Sequence, residues 1–290
     1  MATQSKAQFL TDVYTLLKRR YKPKADRGAS RLSVLKAVVY GICHEDTTRE
    51  QANQALSRFK DEFFDWNEVR VSSLEEIRES LAGIPEPEER ARRIRRFLRQ
   101  LYNRTYGFTL DTLAKKPLKE ALKVLQTYDA FASDYVTATV IQQALGGHAI
   151  PIDEDTRRAL ERLGISEPTV PELRAVLERA VPKNRGAEFL DLLEDLANDT
   201  CVEGEPECPR CELRKICAFA LTRKQEGVDS PPPGRTTKSR APKEKDQAPR
   251  AKAAEANPST TGGHPRQGAP LRAAKPASQP PKPRGKPGAK

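Results

Sequence analysis

CVEGEPECPRCELRKIC, residues 201–217, holds four of the five cysteines in the chain, Cys201, Cys208, Cys211 and Cys217, spaced C-x6-C-x2-C-x5-C. Thiolates this close in sequence are soft ligands for zinc or iron. A structural zinc site usually pairs two short C-x2-C knuckles, and here there is one. Four thiolates also suit a [4Fe–4S] cluster, which takes one ligand per iron and tolerates unequal loops. Coincidental structural cysteines are the least economical reading of such a dense group. Spacing alone leaves zinc and iron–sulfur both open. The fifth cysteine, Cys43, stands apart.

Outward from this segment the chain reads as helix. Phe9, Leu10, Val13, Tyr14, Leu16, Leu17 and Tyr21 recur at helical spacing. Further helices are expected over 32–42 and 48–59, and from a capping box at Ser73-Leu-Glu-Glu76. A strongly basic helix is expected over 88–102, with others over 117–128, 135–145, 155–163, 170–180 and around 189–196. Gly146-Gly147 stops the one over 135–145. No stretch alternates with period two between turn signals, so the fold class is all-α, with IPID (150–153) a connector.

Charge divides the chain. From Arg223 to Lys290 there are 16 Lys plus Arg and 5 Asp plus Glu, against 35 of each before it. That Pro-, Ala- and Lys-rich segment has almost no large apolar residues and is expected to be a disordered tail. Loose contact with nucleic acid is one role for it, a solubilising linker the other. No run of 18 apolar residues exists and no signal-peptide pattern opens the chain. The expectation is an intracellular protein without membrane contact, cytoplasmic (in the bacterial nucleoid) or nuclear.

Three segments together carry a family resemblance. The cysteine spacing resembles the cluster loop of the endonuclease III branch of the helix-hairpin-helix DNA glycosylases. IPIDEDTRRALERLGI (150–165) is similar to that family's segment with the catalytic aspartate, which falls on Asp153, with Arg157 and Arg158 in the helix that follows. VLKAVVYGICHEDTTREQANQA (34–55) resembles the helix, loop and helix of the minor-groove wedge, with Asp46 on the loop acid. The resemblance spans roughly residues 5–220. It implies a two-lobed fold: a six-helix barrel domain (24–147), a helical iron–sulfur domain (1–23 and 148–222), then the tail (223–290). It also implies a [4Fe–4S] cluster on the four cysteines, double-stranded DNA as partner, a monomer, and base-excision chemistry on a flipped base. In that scheme Asp153 stabilises positive charge developing on the sugar. Helix N-cap is its plain alternative. Arg157, Arg158, Arg210, Arg214 and Lys215 are DNA-contact candidates.

This chain departs from the family on the DNA-facing side. The family hairpin has a Leu-Pro-Gly-x-Gly character; here it reads YDAFASDYVTA (128–138), with Asp129 and Asp134 where phosphate would sit. There is no lysine between residues 124 and 182, so the family's Schiff-base lysine is missing. Tyr135, or Asp134 in a register shifted by one, stands at its place, which implies a monofunctional, water-using glycosylase. The wedge-loop glutamine corresponds to Cys43 or His44, making both base-pocket candidates; a surface histidine is the plain alternative for His44. Val-Glu-Gly-Glu-Pro-Glu (202–207) is acidic where the family loop is often basic. The basic helix holds Arg90, Arg92, Arg93, Arg95, Arg96 and Arg99, expected as a solvated face paired with Glu88 and Glu89, with phosphate contact the sharper reading. A non-catalytic DNA-binding protein on the same scaffold is the alternative to an enzyme.

Overall fold

In the computed structural model, which describes residues 5–22 and 31–225, every regular element among those residues is helical. In chain order they are α1 (Lys6–Arg20), α2 (Val34–His44), α3 (Arg49–Glu62), α4 (Trp66–Val71), α5 (Leu74–Ser80), α6 (Pro87–Thr105), α7 (Leu118–Leu125), α8 (Asp134–Gln143), α9 (Glu154–Leu163), α10 (Val170–Ala180), α11 (Lys183–Asp199) and α12 (Ala218–Gln225). Side-chain caps set many of the starts. Ser33, Thr48, Ser73, Ser133, Asp153 and Thr169 each accept a hydrogen bond from a first-turn backbone N–H. The capping box at Ser73 and Glu76 forms as expected.

Several boundaries differ from the expectation. The second helix begins at Val34 because Ser33 caps it. The short helix α4 gives no periodic signal over six residues; Asp65, bonded to the N–H groups of Asn67 and Glu68, starts it. Helix α11 begins at Lys183, just after Pro182, well before the apolar run that suggested it. Residues 223–225 complete α12 instead of beginning the tail. The remainder of the expected tail, from residue 226, lies outside the described residues.

Two hydrophobic cores form. One draws on residues 34–144 and is centred on α2, which buries every residue except Lys36 and packs against α3, α6 and α8. Gly41 makes the α2–α8 crossing close: a Cβ there would lie 3.3 Å from the Val136 Cα and 3.4 Å from the Thr139 Cβ. The other core joins α1 to residues from Ile150 onward, with Phe189 and Leu193 of α11 fully buried beside Leu10, Val13 and Leu17 of α1.

The segment read as a hairpin is a helix–turn–helix of α7, a 3₁₀ turn (Asp129–Ala132) and α8. No residue of that turn has positive φ; among the described non-glycine residues only Asp46, Glu86 and Tyr106 do. The glycine-free sequence is thus accommodated by a right-handed turn closed by Phe131 N–H donating to the Tyr128 carbonyl. Its two acids are neutralised from elsewhere: Asp129 pairs with Arg96 of α6 and Asp134 with Arg174 of α10.

Candidate functional site

The N-terminus of α9 lies where the two cores meet. Asp153 caps it: its Oδ1 accepts from Thr156 N–H at 2.9 Å and from the Thr156 hydroxyl at 2.6 Å, while the Asp153 N–H donates back to Thr156 Oγ1 at 3.0 Å. The cap alternative for Asp153 therefore holds as local structure. Yet the residue is only 8% exposed, and burial pushes its carboxyl up to about 6 against the pull of the Thr156 hydrogen bonds. Asp46 reaches the same helix end from the other lobe. It sits at φ 53°, a left-handed conformation that Asp tolerates better than most residues, and its Oδ1 accepts from the Glu154 N–H at 3.0 Å. Half burial raises the Asp46 pKa, and its charge adds to the rise at Asp153. Two carboxylates thus share one helix N-terminus, whose partial positive charge suits them.

Beside this pair is a closed polar network. The Tyr135 hydroxyl on α8 lies 2.7 Å from His44 Nδ1 on α2, and His44 Nε2 lies 3.7 Å from Glu194 on α11. Arg49 of α3 pairs with Asp191 and sits 3.8 Å from Glu194. Burial holds the Tyr135 hydroxyl well above its ordinary pKa, with the Asp153 and Glu194 charges adding to it. The placement corrects two expectations. His44 is 3% exposed, so it is neither a surface histidine nor the lining of an open pocket. Cys43 is wholly inside the α2 core, its thiol pushed up to about 12 by burial, and it cannot line a base pocket in this state. Tyr135, likewise buried, is tied to His44.

The basic candidates are mostly engaged within the chain. Arg157 pairs with Glu154 and Glu161. Arg158 pairs with Asp155 and donates to the carbonyls of Ala197 and Cys201, which makes it a brace for the cysteine loop instead of an open DNA contact. Arg210 pairs with Glu207, and Arg214 donates to the Pro209 carbonyl. Lys215 is exposed. Sequence reading missed Arg162, which donates to the carbonyls of Cys201, Val202 and Gly204 and holds the acidic loop in shape. The only sequence signal for it is its place on α9 one turn after Arg158.

All four cysteines of the loop line one small cavity, together with Arg162, Thr200, Pro206, Phe219 and Ala220. Cys208 and Cys217 are buried and Cys201 and Cys211 partly so. Burial raises the Cys211 thiol to about 11, with the other three cysteines adding to the rise. Among the described residues no three His, Cys, Asp or Glu side chains converge as a single-ion site would require. Four cysteine sulfurs lining one cavity have the donor chemistry that an iron–sulfur cluster takes. The acidic loop is also quieter than its sequence suggests: Glu205 pairs with Arg223 and Glu207 with Arg210.

No family model and no curated protein matches the chain. Solved structures do. A trapped endonuclease III–DNA covalent intermediate superposes with a TM-score of 0.60 at 17% identity, covering 76% of this chain and 100% of that one. A thermostable thymine-DNA glycosylase follows at 0.53 and 19% identity, covering 74% of this chain and 95% of that one. The H. pylori 3-methyladenine DNA glycosylase (MagIII), bound to 1,N6-ethenoadenine, gives 0.53 at 12% identity, covering 69% and 100%. At such identities the likeness is one of architecture. The chain has the all-helical fold of the helix-hairpin-helix DNA glycosylases, in the form seen in endonuclease III.

Proposed function

We propose that the protein is a DNA N-glycosylase of base-excision repair that hydrolyses the bond to a flipped base, with Asp153 as its charged catalyst. The observation that carries this reading is the desolvated Asp153 carboxylate, with Asp46 beside it, at the α9 N-terminus between the two lobes of a glycosylase fold. As the base leaves, positive charge grows on the sugar, and a fixed anion in a low-dielectric site stabilises it more than water would. The Asp153 carboxylate is ionised mainly above about pH 6, so base release should rise as pH passes through that value. With no lysine from residue 124 to 182, this chain has no counterpart for the family's Schiff-base amine, and water is the nucleophile.

In this reading the four-cysteine loop holds a [4Fe–4S] cluster through Cys201, Cys208, Cys211 and Cys217, with Arg158 and Arg162 clamping the loop carbonyls. When bound, the cluster supplies cross-linking of the C-terminal segment. The test is a panel of duplexes carrying uracil, oxidised pyrimidines, alkylated purines or mismatched adenine, comparing the wild type with Asp153→Asn. Free base from one substrate, lost on substitution and unaccompanied by strand cleavage, supports the proposal.

A second reading has its own observation. Cys43, His44 and Tyr135 are all enclosed, and Tyr135 is committed to His44. That closure favours a duplex-binding protein without chemistry. Tight duplex binding with no base released from any substrate would decide for it.

A further inference from the structure

The outer face of α6 is a basic surface that the site above does not use. Arg92, Arg93, Arg95, Arg96 and Arg99 line one open groove of about 650 Å³ with Gln100 and Asn103, closed on its far side by Asp129 and Ala130 of the hairpin turn. Five guanidinium groups line it with two carboxylates, Glu89 and Asp129, and two more, Glu88 and Glu45, pair with Arg92 and Arg93 from its edge. Arg90 does not belong to this face. It is buried and donates to the carbonyls of Ile42, Pro85 and Glu45, which corrects the expectation of a fully solvated basic helix.

The groove's charges are unequally matched. Arg92 pairs with Glu88 and Glu89, Arg93 with Glu45, and Arg96 with Asp129. Arg95 reaches only the Ser72 carbonyl, at 3.4 Å. Arg99 is exposed and makes no hydrogen bond or ion pair among the described residues. Guanidinium groups three, four and seven residues apart on one helix repel one another, so the face is stabilised by an added anion. Their planar forks fit phosphate oxygens two at a time, and the flanking amides can donate to phosphate or sugar. No aromatic side chain lines the groove, so it offers nothing on which a base could stack.

We propose that this groove is an accessory binding site for the phosphate backbone of duplex DNA, sequence-independent and separate from the Asp153 site. It supplies anchoring that the hairpin turn does not offer, since that turn lacks left-handed residues and ties Asp129 to the groove's own Arg96. The proposal rests on DNA being the substrate, but not on any base being released.

The test uses the full chain and an undamaged duplex, following affinity by fluorescence anisotropy from about 50 to 200 mM salt. Arg95→Gln with Arg99→Gln removes two charges without touching the buried pairs, and a thermal melt checks that the variant folds. Each lost phosphate contact should shallow the log–log salt slope by about 0.9, so the pair should change it by about 1.8 and weaken binding at the lower salt. Arg19→Gln with Lys60→Gln, an equal loss of charge on exposed residues of α1 and α3, should leave the slope close to wild type. An unchanged slope in the α6 variant overturns the site and leaves an acidic protein as the better partner for this face. An equal fall in both variants also overturns it, since net charge alone would then explain binding. If the α6 variant alone loses slope while the wild type releases no base, the groove stands and the glycosylase reading falls.

Discussion

Replacing Asp153 by Asn should make the protein more stable at neutral pH, which is an unusual outcome for a buried polar residue. Burial lifts the Asp153 pKa from 3.8 to about 6, a rise of roughly 2 units. At 1.36 kcal/mol per unit, keeping this carboxylate ionised in the fold costs about 3 kcal/mol. Asn caps a helix as well as Asp does and can still accept from Thr156 N–H, so the substitution removes the charge and keeps the cap. The direction with pH follows from the raised pKa. Below pH 3.8 the group is protonated in folded and unfolded chains alike, and the variant has no charge-related advantage. Between pH 3.8 and about 6 the unfolded chain releases its proton first, and wild-type stability falls relative to the variant. Above about pH 6 the gap is complete. For a domain of this size about 3 kcal/mol corresponds to roughly 6–12 °C in Tm. The assay is urea unfolding of both proteins at pH 3.5, 5, 6 and 8, read as the difference in unfolding free energy. Equal stability at pH 8, or a gap that narrows as pH rises, would refute the argument that Asp153 is held ionised against its surroundings. A stability gain coupled to lost base release would show a residue kept for chemistry at the expense of the fold.

Four further outcomes are expected. Tyr135→Phe leaves His44 Nδ1 without its 2.7 Å partner in a buried setting and should cost about 1–3 kcal/mol by chemical denaturation; a neutral change would mean the network is open to water. Gly41→Val forces α2 away from Val136 and Thr139 and should cost about 1–3 kcal/mol, seen as a lower Tm with helicity kept. Cys208→Ser should abolish the yellow-brown absorption expected of the purified protein and expose the segment from residue 200 to protease, whereas a colourless wild type with stoichiometric zinc would end the iron–sulfur assignment. Deleting residues 226–290 should shallow the salt dependence of duplex binding, and an unaltered slope would remove the tail from DNA contact.

Much of the helical framework was legible because the signals are local. An apolar stripe at 3.6-residue spacing locates a helix wherever the chain goes next, as over α1, and so does a capping box such as the one at Ser73 and Glu76. Helix α4 escaped because six residues carry too few turns to show a period. The start of α11 escaped because its first turns, Lys183 to Glu188, are polar and follow a proline that reads equally well as a loop.

The site divides the same way. Sequence by itself determined that the four cysteines share one neighbourhood, since only seventeen residues of chain hold them, and they line one cavity. It also determined the cap at Asp153, which needs only Thr156 three residues on, and the absence of any lysine near Tyr135. Tertiary structure alone decided what depends on burial and on partners far along the chain. It enclosed His44 against Tyr135 of α8 and Glu194 of α11, and buried Cys43 near Arg90 and Arg93 of α6. It paired Asp129 with Arg96 and Asp134 with Arg174, cancelling charge that looked hostile to phosphate. It also turned Arg158 and Arg162 inward to the cysteine loop while leaving Arg95 and Arg99 on an open groove. A residue's type and its near neighbours fix local geometry and chemical capacity. Its solvation, and therefore its charge state and availability, is set by segments that the fold brings from more than a hundred residues away, as with Asp46 at the N-terminus of α9.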